Sequence, residues 1–532
     1  MALRPKPPEE GRHSPLFVGY LVITALLCGA FVMVIEVLGS KVLGPLFGVS
    51  LFVWTSLITV TLVSLAAGYA LGGVVSDKKE SPSYLYGIIF AAGVAAVLVP
   101  HLRPLVLKAC IPLGLRLGSL TAAVALFGPG LFLLGCVSPY IIKIAAREMR
   151  NIGRTVGVFY ALSTIGSVVG TVLTGFVFIA YFRVDRIFEV VGAALIVLSA
   201  AYYLLFRKKW YLFMVVPLTP FLLTPQTPLS KLMSDGTYVK ETYAADSFYG
   251  KVKVLDYSYE DAHTRELMID GLIQSILDMN NGMSVLAYPY FTEMLPYVIN
   301  PSGKRCLVLG LGAGVIPMWF EERGIKTDVV EIDPDVVNVA KRYFGFNIDG
   351  RIVLSDARYF LSQKGPTYDY IVVDVASGDI TPAHIFSLEA FKLIRGRLAN
   401  HGVLSINFIG NLHGESFITA SVVKTLGEVF KTVKIYPNVP PDKASGVENI
   451  TLLAYDFPPA TVDADQMRNF PVHPYVRDQL ARMAGREFVF PEGTSSMVLT
   501  DNYNPVDVAD VWVKEQMRKG TLYITDLDVI IH

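Results

Sequence analysis

Lys304-Arg-Cys-Leu-Val-Leu-Gly-Leu-Gly-Ala-Gly-Val-Ile316 is the stretch that decides the fold of the second half of this chain. A short apolar strand ends in three alternating glycines, Gly310, Gly312 and Gly314, and a helix pattern follows. Glycine lets the backbone come close to a ligand, and the first turn of a helix offers free N–H groups. Glu331 lies at the end of the next apolar run, where an acid can bind ribose hydroxyls. The pattern predicts a nucleoside pocket.

The region after residue 300 alternates between strand and helix patterns, which is typical of a doubly wound, Rossmann-like α/β sheet. Such sheets bind their ligands at the carboxyl ends of the strands. The predicted strands lie near 305–309, 328–332, 351–354, 369–375, 403–408 and 431–436, and the clearest predicted helices span 335–344, 387–398 and 415–429.

Acids follow three of these strands in order. Glu331 ends the second strand, Asp356 with Ala357 follows the third, and Asp374 ends the fourth. We expect Glu331 to hold the ribose, Asp356 the adenine amino group, and Asp374 to face the reacting end of the ligand. The glycines are spaced GxGxG rather than GxGxxG, which favours an S-adenosyl nucleoside over a dinucleotide.

The first half of the chain has the composition of a membrane protein. It has 532 residues, of which 52% are hydrophobic and 17% charged, and the apolar residues are concentrated before position 224. We predict a transmembrane domain over 1–224, a linker over 225–237, a small antiparallel β-region over 238–300 and the Rossmann-like domain over 301–532. Six apolar segments are long enough to span a bilayer, at 16–38, 51–74, 84–100, 119–142, 156–181 and 187–206, and a short seventh lies at 211–223.

The side of the membrane follows from the flanking basic residues. Lys and Arg are more numerous on the side that holds the N-terminus, and six crossings return the chain to that side. The positive-inside rule therefore places the second half of the chain in the cytoplasm of a multi-pass cell-membrane protein.

Charge and cysteine usage exclude several classes of function. The 46 basic and 46 acidic residues cancel, so nothing indicates nucleic-acid binding. The four cysteines lack CxxC spacing and lie in or beside apolar segments, which is typical of core residues in a reducing compartment. His263, His384 and His413 of the second half lie in separate segments, so we expect no metal site.

Several motifs between Tyr238 and Tyr455 resemble the polyamine aminopropyltransferases, the spermidine synthases. They are Leu267-Met-Ile-Asp-Gly-Leu-Ile-Gln-Ser275, Glu293-Met-Leu295, Val330-Glu-Ile-Asp333 and Tyr368-Asp-Tyr-Ile-Val-Val-Asp374. The N-terminal half resembles membrane-embedded bacterial members, whose terminal motif is similar to Thr500-Asp-Asn-Tyr-Asn-Pro-Val506.

The resemblance implies transfer of a propylamine group from decarboxylated S-adenosylmethionine to putrescine or a related amine, giving spermidine and methylthioadenosine. It implies catalytic roles for Asp374 and Asp379, donor binding by Gln274, and amine-substrate binding by Tyr290 and Glu293. It also implies a co-substrate rather than a prosthetic group, and a possible homodimer, while the lipid bilayer would be the partner of the first half.

Four positions depart from the family pattern. Ala313 replaces an acid that binds the propyl amine, Phe291 replaces a tyrosine, Gly250 replaces a glutamine, and the second catalytic acid aligns with either Ser377 or Asp379. Two alternatives therefore stay open. One is a methyltransferase that uses intact S-adenosylmethionine, and the other is a polyamine transporter or sensor with a ligand-binding soluble domain.

Overall fold

The computed structural model describes residues 15–48, 51–148, 152–208, 227–375, 381–440, 446–462, 464–483 and 485–531. The chain divides into two compact units, one formed by residues 1–47 and 52–227, the other by residues 48–51 and 228–532. The predicted seventh apolar segment, 211–223, and the predicted catalytic Asp379 lie outside the described residues.

The described part of the first unit is helical. The segments Pro15–Phe47, Leu51–Lys78, Ile152–Tyr181 and Val184–Arg207 are each long and apolar enough to cross a membrane, and so is the 65-residue segment Pro82–Ala146. That longest segment covers two of the six predicted spans, which a 3₁₀ turn separates. The helices are α1 (Pro15–Phe47), α2 (Leu51–Lys78), α3 (Pro82–Cys110), α4 (Gly114–Glu148), α5 (Ile152–Leu173), α6 (Ile179–Tyr181) and α7 (Val184–Arg207), with the 3₁₀ turn at Ile111–Leu113 and a π-helical turn at Thr174–Phe178.

Glycines allow α1 and α5 to pack at close range. A Cβ atom added at Gly166 would overlap the carbonyl oxygen of Leu26, and one added at Gly170 would overlap that of Ala30. These two glycines are four residues apart and lie on one helix face, so the two backbones meet along a continuous seam.

The second unit begins with an antiparallel sheet of five strands, paired in chain order. Its fourth and fifth strands turn at Asp270-Gly271, where both residues have positive φ angles. The helix α8 (Tyr288–Ile299) follows this sheet. The strands are β1 (Ser230–Leu232), β2 (Tyr238–Asp246), β3 (Lys251–Tyr259), β4 (Ala262–Ile269) and β5 (Leu272–Asp278).

A seven-stranded sheet forms the centre of the second unit, in the order β11-β12-β10-β9-β6-β7-β8. The neighbours from β10 to β8 are parallel, whereas β12 pairs antiparallel with both β10 and β11. The strands are β6 (Arg305–Leu309), β7 (Lys326–Glu331), β8 (Ile352–Leu354), β9 (Tyr368–Val373), β10 (Leu398–Gly410), β11 (Thr432–Pro437) and β12 (Glu448–Tyr455).

This sheet confirms the predicted doubly wound architecture, with one omission. All six predicted strands are present, but the prediction missed β12, which inserts between β10 and β11. Both faces of the sheet are buried, because alternate residues of each strand enter two separate cores. The covering helices include α9 (Val315–Glu321), α10 (Pro334–Tyr343), α11 (Ala357–Ser362), α12 (Leu388–Arg397) and α13 (Phe417–Gly427).

The end of the chain returns to the five-stranded sheet. Val529 packs against Val239, Leu255 and Met268 on one face of that sheet. The buried Arg518 donates a hydrogen bond of 2.7 Å to the carbonyl oxygen of Asp270. The last helices are α14 (Ala464–Arg468), α15 (Pro474–Met483), α16 (Val506–Ala509), α17 (Val511–Ile524) and α18 (Leu527–Ile531).

Candidate active site

A cavity of about 530 Å³ opens at the carboxyl ends of the parallel strands. Its floor comes from the residues that directly follow β6, β7, β8 and β9, and its cover comes from the five-stranded sheet and the start of α8. A third wall is the segment 381–385. The lining residues are Tyr249, Ile269, Gln274, Tyr288, Gly310, Leu311, Gly312, Val330, Glu331, Ile332, Asp333, Val336, Ser355, Asp356, Ala357, Asp374, Val375, Thr381, Pro382, Ala383, His384 and Ile385.

The glycine turn brings the end of β6 against the end of β9. Gly310 has a φ angle of +91°, and a Cβ atom there would overlap the carbonyl oxygen of Asp374. Gly312 also has a positive φ angle and lines the cavity. Gly314 lies behind the cavity at the start of α9, where its φ angle is +85° and a Cβ atom would overlap the Phe346 ring. The turn thus gives a ligand direct access to backbone groups.

Glu331 is held in place by backbone donors on two sides. Its Oε2 accepts a hydrogen bond of 3.0 Å from the Leu311 N–H, and its Oε1 accepts one of 2.8 Å from the Asp333 N–H. Burial raises the pKa of Glu331 to about 7 despite these bonds. Asp333 accepts a bond of 2.5 Å from the Ser247 hydroxyl, which ties the β2–β3 turn to this end of the cavity. Two acids side by side suit the hydroxyls of a ribose.

Asp356 lies between β8 and α11 and lines the cavity. Its Oδ1 accepts a hydrogen bond of 2.8 Å from the Tyr359 N–H, as a helix N-cap does. Its Oδ2 lies 3.1 Å from His384 Nε2. The next residue, Ala357, is buried and supplies an apolar surface. The arrangement offers an acceptor beside a small apolar patch, as an adenine ring requires.

Asp374 directly follows β9, which β6 and β7 separate from β8 in the sheet, and it lines the cavity. Its Oδ1 accepts a hydrogen bond of 2.8 Å from Asn407 Nδ2. Burial raises the pKa of Asp374 to about 6, although hydrogen bonds from Asn407 and Tyr288 act in the lowering direction. The Tyr288 hydroxyl, which has a single proton, can donate alternatively to the carbonyl oxygen of Gln274, 3.0 Å away. A carboxyl with this pKa is ionised near neutral pH and can accept a proton.

The charges of the cavity favour a cation. Its acidic side chains are Glu331, Asp333, Asp356 and Asp374, and His384 is the one basic type among the described residues that line it. No Lys or Arg is among those lining residues. Four carboxyls with no Lys or Arg among the described lining residues attract positively charged ligands and disfavour a ligand carboxylate.

Comparisons with known proteins show similarity to two kinds of transferase. Residues 293–461 match the family model of the spermine/spermidine synthase domain. The polyamine aminopropyltransferase of Vibrio vulnificus is 34% identical to the chain over 128 residues, which are 23% of this chain and 43% of that protein. Residues 293–461 are therefore similar to the spermine/spermidine synthase domain.

Other proteins with sequence similarity to the chain have different names. The N-terminal histidine N-methyltransferase of Emericella nidulans is 34% identical over 151 residues, 26% of this chain and 27% of that protein. The chain therefore spans less than half the length of these curated relatives. The crystal structure of a probable spermidine synthase from Corynebacterium glutamicum has a TM-score of 0.37 and 21% identity, covering 50% of this chain and 99% of that one.

Most of the predicted site residues come together in the cavity. Gly310, Gly312, Glu331, Asp356, Ala357, Gln274 and Asp374 all line it. Gly314, Tyr290 and Glu293 are not among the described residues that do so.

The orientation of α8 separates Tyr290 and Glu293 from the cavity. Residues turn by about 100° each along a helix, so these two side chains point well away from Tyr288, which lines the cavity. The Tyr290 hydroxyl donates to the carbonyl oxygen of Ser284 at 2.8 Å. Glu293 is fully buried, and burial raises its pKa well above the ordinary value. Both side chains belong to the packing of α8 in this fold.

The cavity also contains residues for which sequence reasoning assigned no role. Tyr249, Ser355, Thr381 and His384 line it, and Asn407 holds Asp374 from β10. Asn407 follows the pattern of the other sites, because it is a polar residue near the carboxyl end of a parallel strand, and that position is the signal that identifies it. The other four lie in turns, which leave no periodic signal.

Proposed function

We propose that this protein is a membrane-anchored aminopropyltransferase. It transfers the propylamine group of decarboxylated S-adenosylmethionine to putrescine or a related amine, and the products are spermidine, or its homologue, and methylthioadenosine. The observation that carries the proposal is the cavity with four lining acids and no lining Lys or Arg among the described residues. The match of residues 293–461 to the spermine/spermidine synthase domain and the similarity to the Vibrio vulnificus polyamine aminopropyltransferase support it.

The donor lies along the strand ends in this proposal. Glu331 binds the ribose hydroxyls, while Asp356 and Ala357 bind the adenine. The backbone of Gly310 and Gly312 lets the donor approach closely, and Gly314 supports that turn from behind. Gln274 contacts the donor from the covering sheet.

The reaction takes place beside Asp374. The acceptor nitrogen attacks the propyl carbon that is bonded to the sulfonium, so a C–N bond forms while the C–S bond breaks. The electron pair of the broken bond stays on sulfur, which becomes the neutral thioether of methylthioadenosine. An ammonium has no lone pair, so the amine must lose a proton before it attacks. Asp374, with a pKa near 6, accepts that proton and orients the amine in line with the C–S bond.

Asp379 is the second catalytic acid of the proposal, on the basis of the family motif. Tyr290 and Glu293 have no part in it, because neither is among the lining residues. The membrane domain, 1–224, anchors the enzyme in the cell membrane with the active site in the cytoplasm, and two copies form a homodimer.

A methyltransferase is the second candidate. Ala313 in place of an acid and the similarity to the Emericella nidulans N-methyltransferase favour it. Intact S-adenosylmethionine, however, carries an α-carboxylate next to its α-ammonium. That carboxylate would lie in an acidic cavity with no Lys or Arg among the described lining residues, which disfavours its binding.

Product analysis tests the choice between these functions. Purified full-length protein is incubated with a panel of diamines and either decarboxylated or intact S-adenosylmethionine, and the products are identified by mass spectrometry. We expect an aminopropylated amine with the decarboxylated donor alone, and its loss in Asp374→Asn. Methylated products from the intact donor would overturn the proposal in favour of a methyltransferase. Amine uptake into liposomes without turnover of either donor would point instead to a transporter.

A further inference from the structure

The cavity wall formed by 381–385, together with residues 386–388 that follow it, is held by a segment from the end of the chain. We name residues 499–510 the C-terminal segment. The Leu388 N–H donates to the carbonyl oxygen of Leu499 at 2.8 Å. Asn504 Nδ2 donates to the carbonyl oxygens of Ala383 and Phe386, at 2.9 and 3.0 Å. These bonds fix the wall at its middle and its far end.

Asp501 connects this wall to the wall formed by Asp356 and Ala357. Its Oδ2 lies 2.6 Å from the Arg358 guanidinium, and its Oδ1 accepts a hydrogen bond of 2.6 Å from the Ser387 hydroxyl. Arg358 directly follows Asp356 and Ala357, which line the cavity on the side of β8. One carboxylate therefore connects the residues after β8 with the segment 381–388.

Arg358 completes the link. The same guanidinium donates to the carbonyl oxygen of His384 at 2.7 Å and to the Ser387 hydroxyl at 3.0 Å. The side chain of His384 in turn lies 3.1 Å from Asp356. A continuous hydrogen-bonded network thus connects the two walls. Asp501, in the C-terminal segment, is part of this network.

Backbone hydrogen bonds fix the position of Asp501 beside Arg358 and Ser387. Thr500 and Tyr503 exchange two backbone hydrogen bonds of 3.1 Å, which places Asp501 at the start of a tight turn. The Asp501 N–H donates to Glu389 Oε2 at 2.9 Å. Burial acts to raise the pKa of Asp501, but hydrogen bonds from Ser387 and Arg358 outweigh it and lower that pKa, so the side chain is charged at neutral pH.

We propose that Asp501 is a positioning residue for donor binding, which sets the gap between the wall at Asp356–Ala357 and the wall at 381–385. The identity of the donor in this inference rests on the proposed function. An adenine between the two walls gains contacts on both faces only if their separation is held constant. The hydrogen bonds of the Asp501 side chain go to Arg358 and Ser387 and not to Asp374, so its loss weakens donor binding and leaves the chemical step intact.

The test compares Asp501→Ala and Asp501→Glu in the full-length protein with a matched control. Asp456→Asn breaks a similar surface ion pair, at 2.8 Å from Arg395 and 36% exposed against 42% for Asp501, and Asp456 does not line the cavity. Three quantities are measured: the Kd for methylthioadenosine by calorimetry, kcat and KM for decarboxylated S-adenosylmethionine, and amide hydrogen exchange of residues 381–388.

We expect Asp501→Ala to raise Kd and KM roughly tenfold, the size typical of losing a charge-assisted hydrogen bond, while kcat changes less than about twofold. Exchange at 381–388 should accelerate in this variant. Asp501→Glu retains the charge and should recover most of the affinity, and Asp456→Asn should match the wild type in every measurement.

Unchanged exchange at 381–388 in Asp501→Ala refutes the positioning role, whatever the enzyme catalyses. A fall in kcat at constant KM also refutes it, since it would assign Asp501 to the chemical step. A wild-type protein that shows no aminopropyl transfer refutes the proposed function instead, and hydrogen exchange then still decides the role of Asp501.

Discussion

Replacing Asp374 by asparagine should remove activity and yet stabilise the protein at alkaline pH. The pKa of this carboxyl rises from an ordinary 3.8 to about 6 on folding, because burial disfavours its charged form. Each pKa unit corresponds to about 1.36 kcal/mol, so the ionised carboxyl costs the folded state about 3 kcal/mol as an upper limit.

Because folding raises the pKa of Asp374, the sign of the change in stability with pH is determined. A group whose pKa is raised by folding favours the folded state below its unfolded pKa, and this stability is lost as pH rises through the folded pKa. The wild type therefore loses stability between about pH 4 and pH 6 on account of Asp374. The side-chain amide introduced by Asp374→Asn stays neutral at every pH, and its oxygen can still accept the hydrogen bond from Asn407.

Hydrogen exchange of strands β6, β9 and β10 provides the assay, because a protein of two units does not unfold in a single step and exchange reports local free energies. We expect Asp374→Asn to raise the local free energy of unfolding by up to about 3 kcal/mol at pH 8 and to differ little from the wild type at pH 4. Its kcat should fall by about 100-fold or more. In the wild type, kcat/KM should rise with pH through about 6.

Equal stability of Asp374→Asn and the wild type at pH 8 would refute this reasoning, and so would a stability difference that does not change between pH 4 and pH 8. Retained activity in the variant would refute the assignment of Asp374 as the proton acceptor.

Three further substitutions test other parts of the site. Glu331→Gln should weaken methylthioadenosine binding about tenfold by calorimetry, because one amide oxygen cannot replace two carboxylate acceptors; unchanged affinity would contradict its ribose role. Gly314→Ala should destabilise α9 by roughly 1–3 kcal/mol in hydrogen exchange, since its φ angle is +85° and its Cβ would overlap Phe346; wild-type protection there would argue against it. Tyr288→Phe removes a hydrogen bond that lowers the pKa of Asp374. The pH at which kcat/KM rises should therefore be higher in this variant than in the wild type. A shift of that pH to a lower value would exclude the contact between Tyr288 and Asp374.

The positions of the strand-end residues were predictable from local sequence. Gly310, Glu331, Asp356 and Asp374 each follow an apolar run of strand length, and a parallel sheet brings all such ends to one edge. The same logic applies to Asn407, which the prediction did not include. These residues could be found because the side-chain period of a strand and the glycine turn are local properties of the chain.

Long-range pairing was less accessible to sequence reasoning. The strand β12, Glu448–Tyr455, inserts antiparallel between β10 and β11, so its place in the sheet depends on partners distant in the chain. Apolar runs show that a segment is buried, but not which neighbours it pairs with. For that reason the strand order was not readable from the sequence.

The sequence by itself therefore determined the α/β class of the second unit and the strand-end acids of the candidate nucleoside pocket. Only the tertiary structure decided which face of α8 meets the cavity, so that Tyr288 lines it and Tyr290 does not. It also brought Asp501 to Arg358, 143 positions earlier in the chain. Both outcomes depend on how separate elements pack against one another, and no periodicity within a single element encodes that packing.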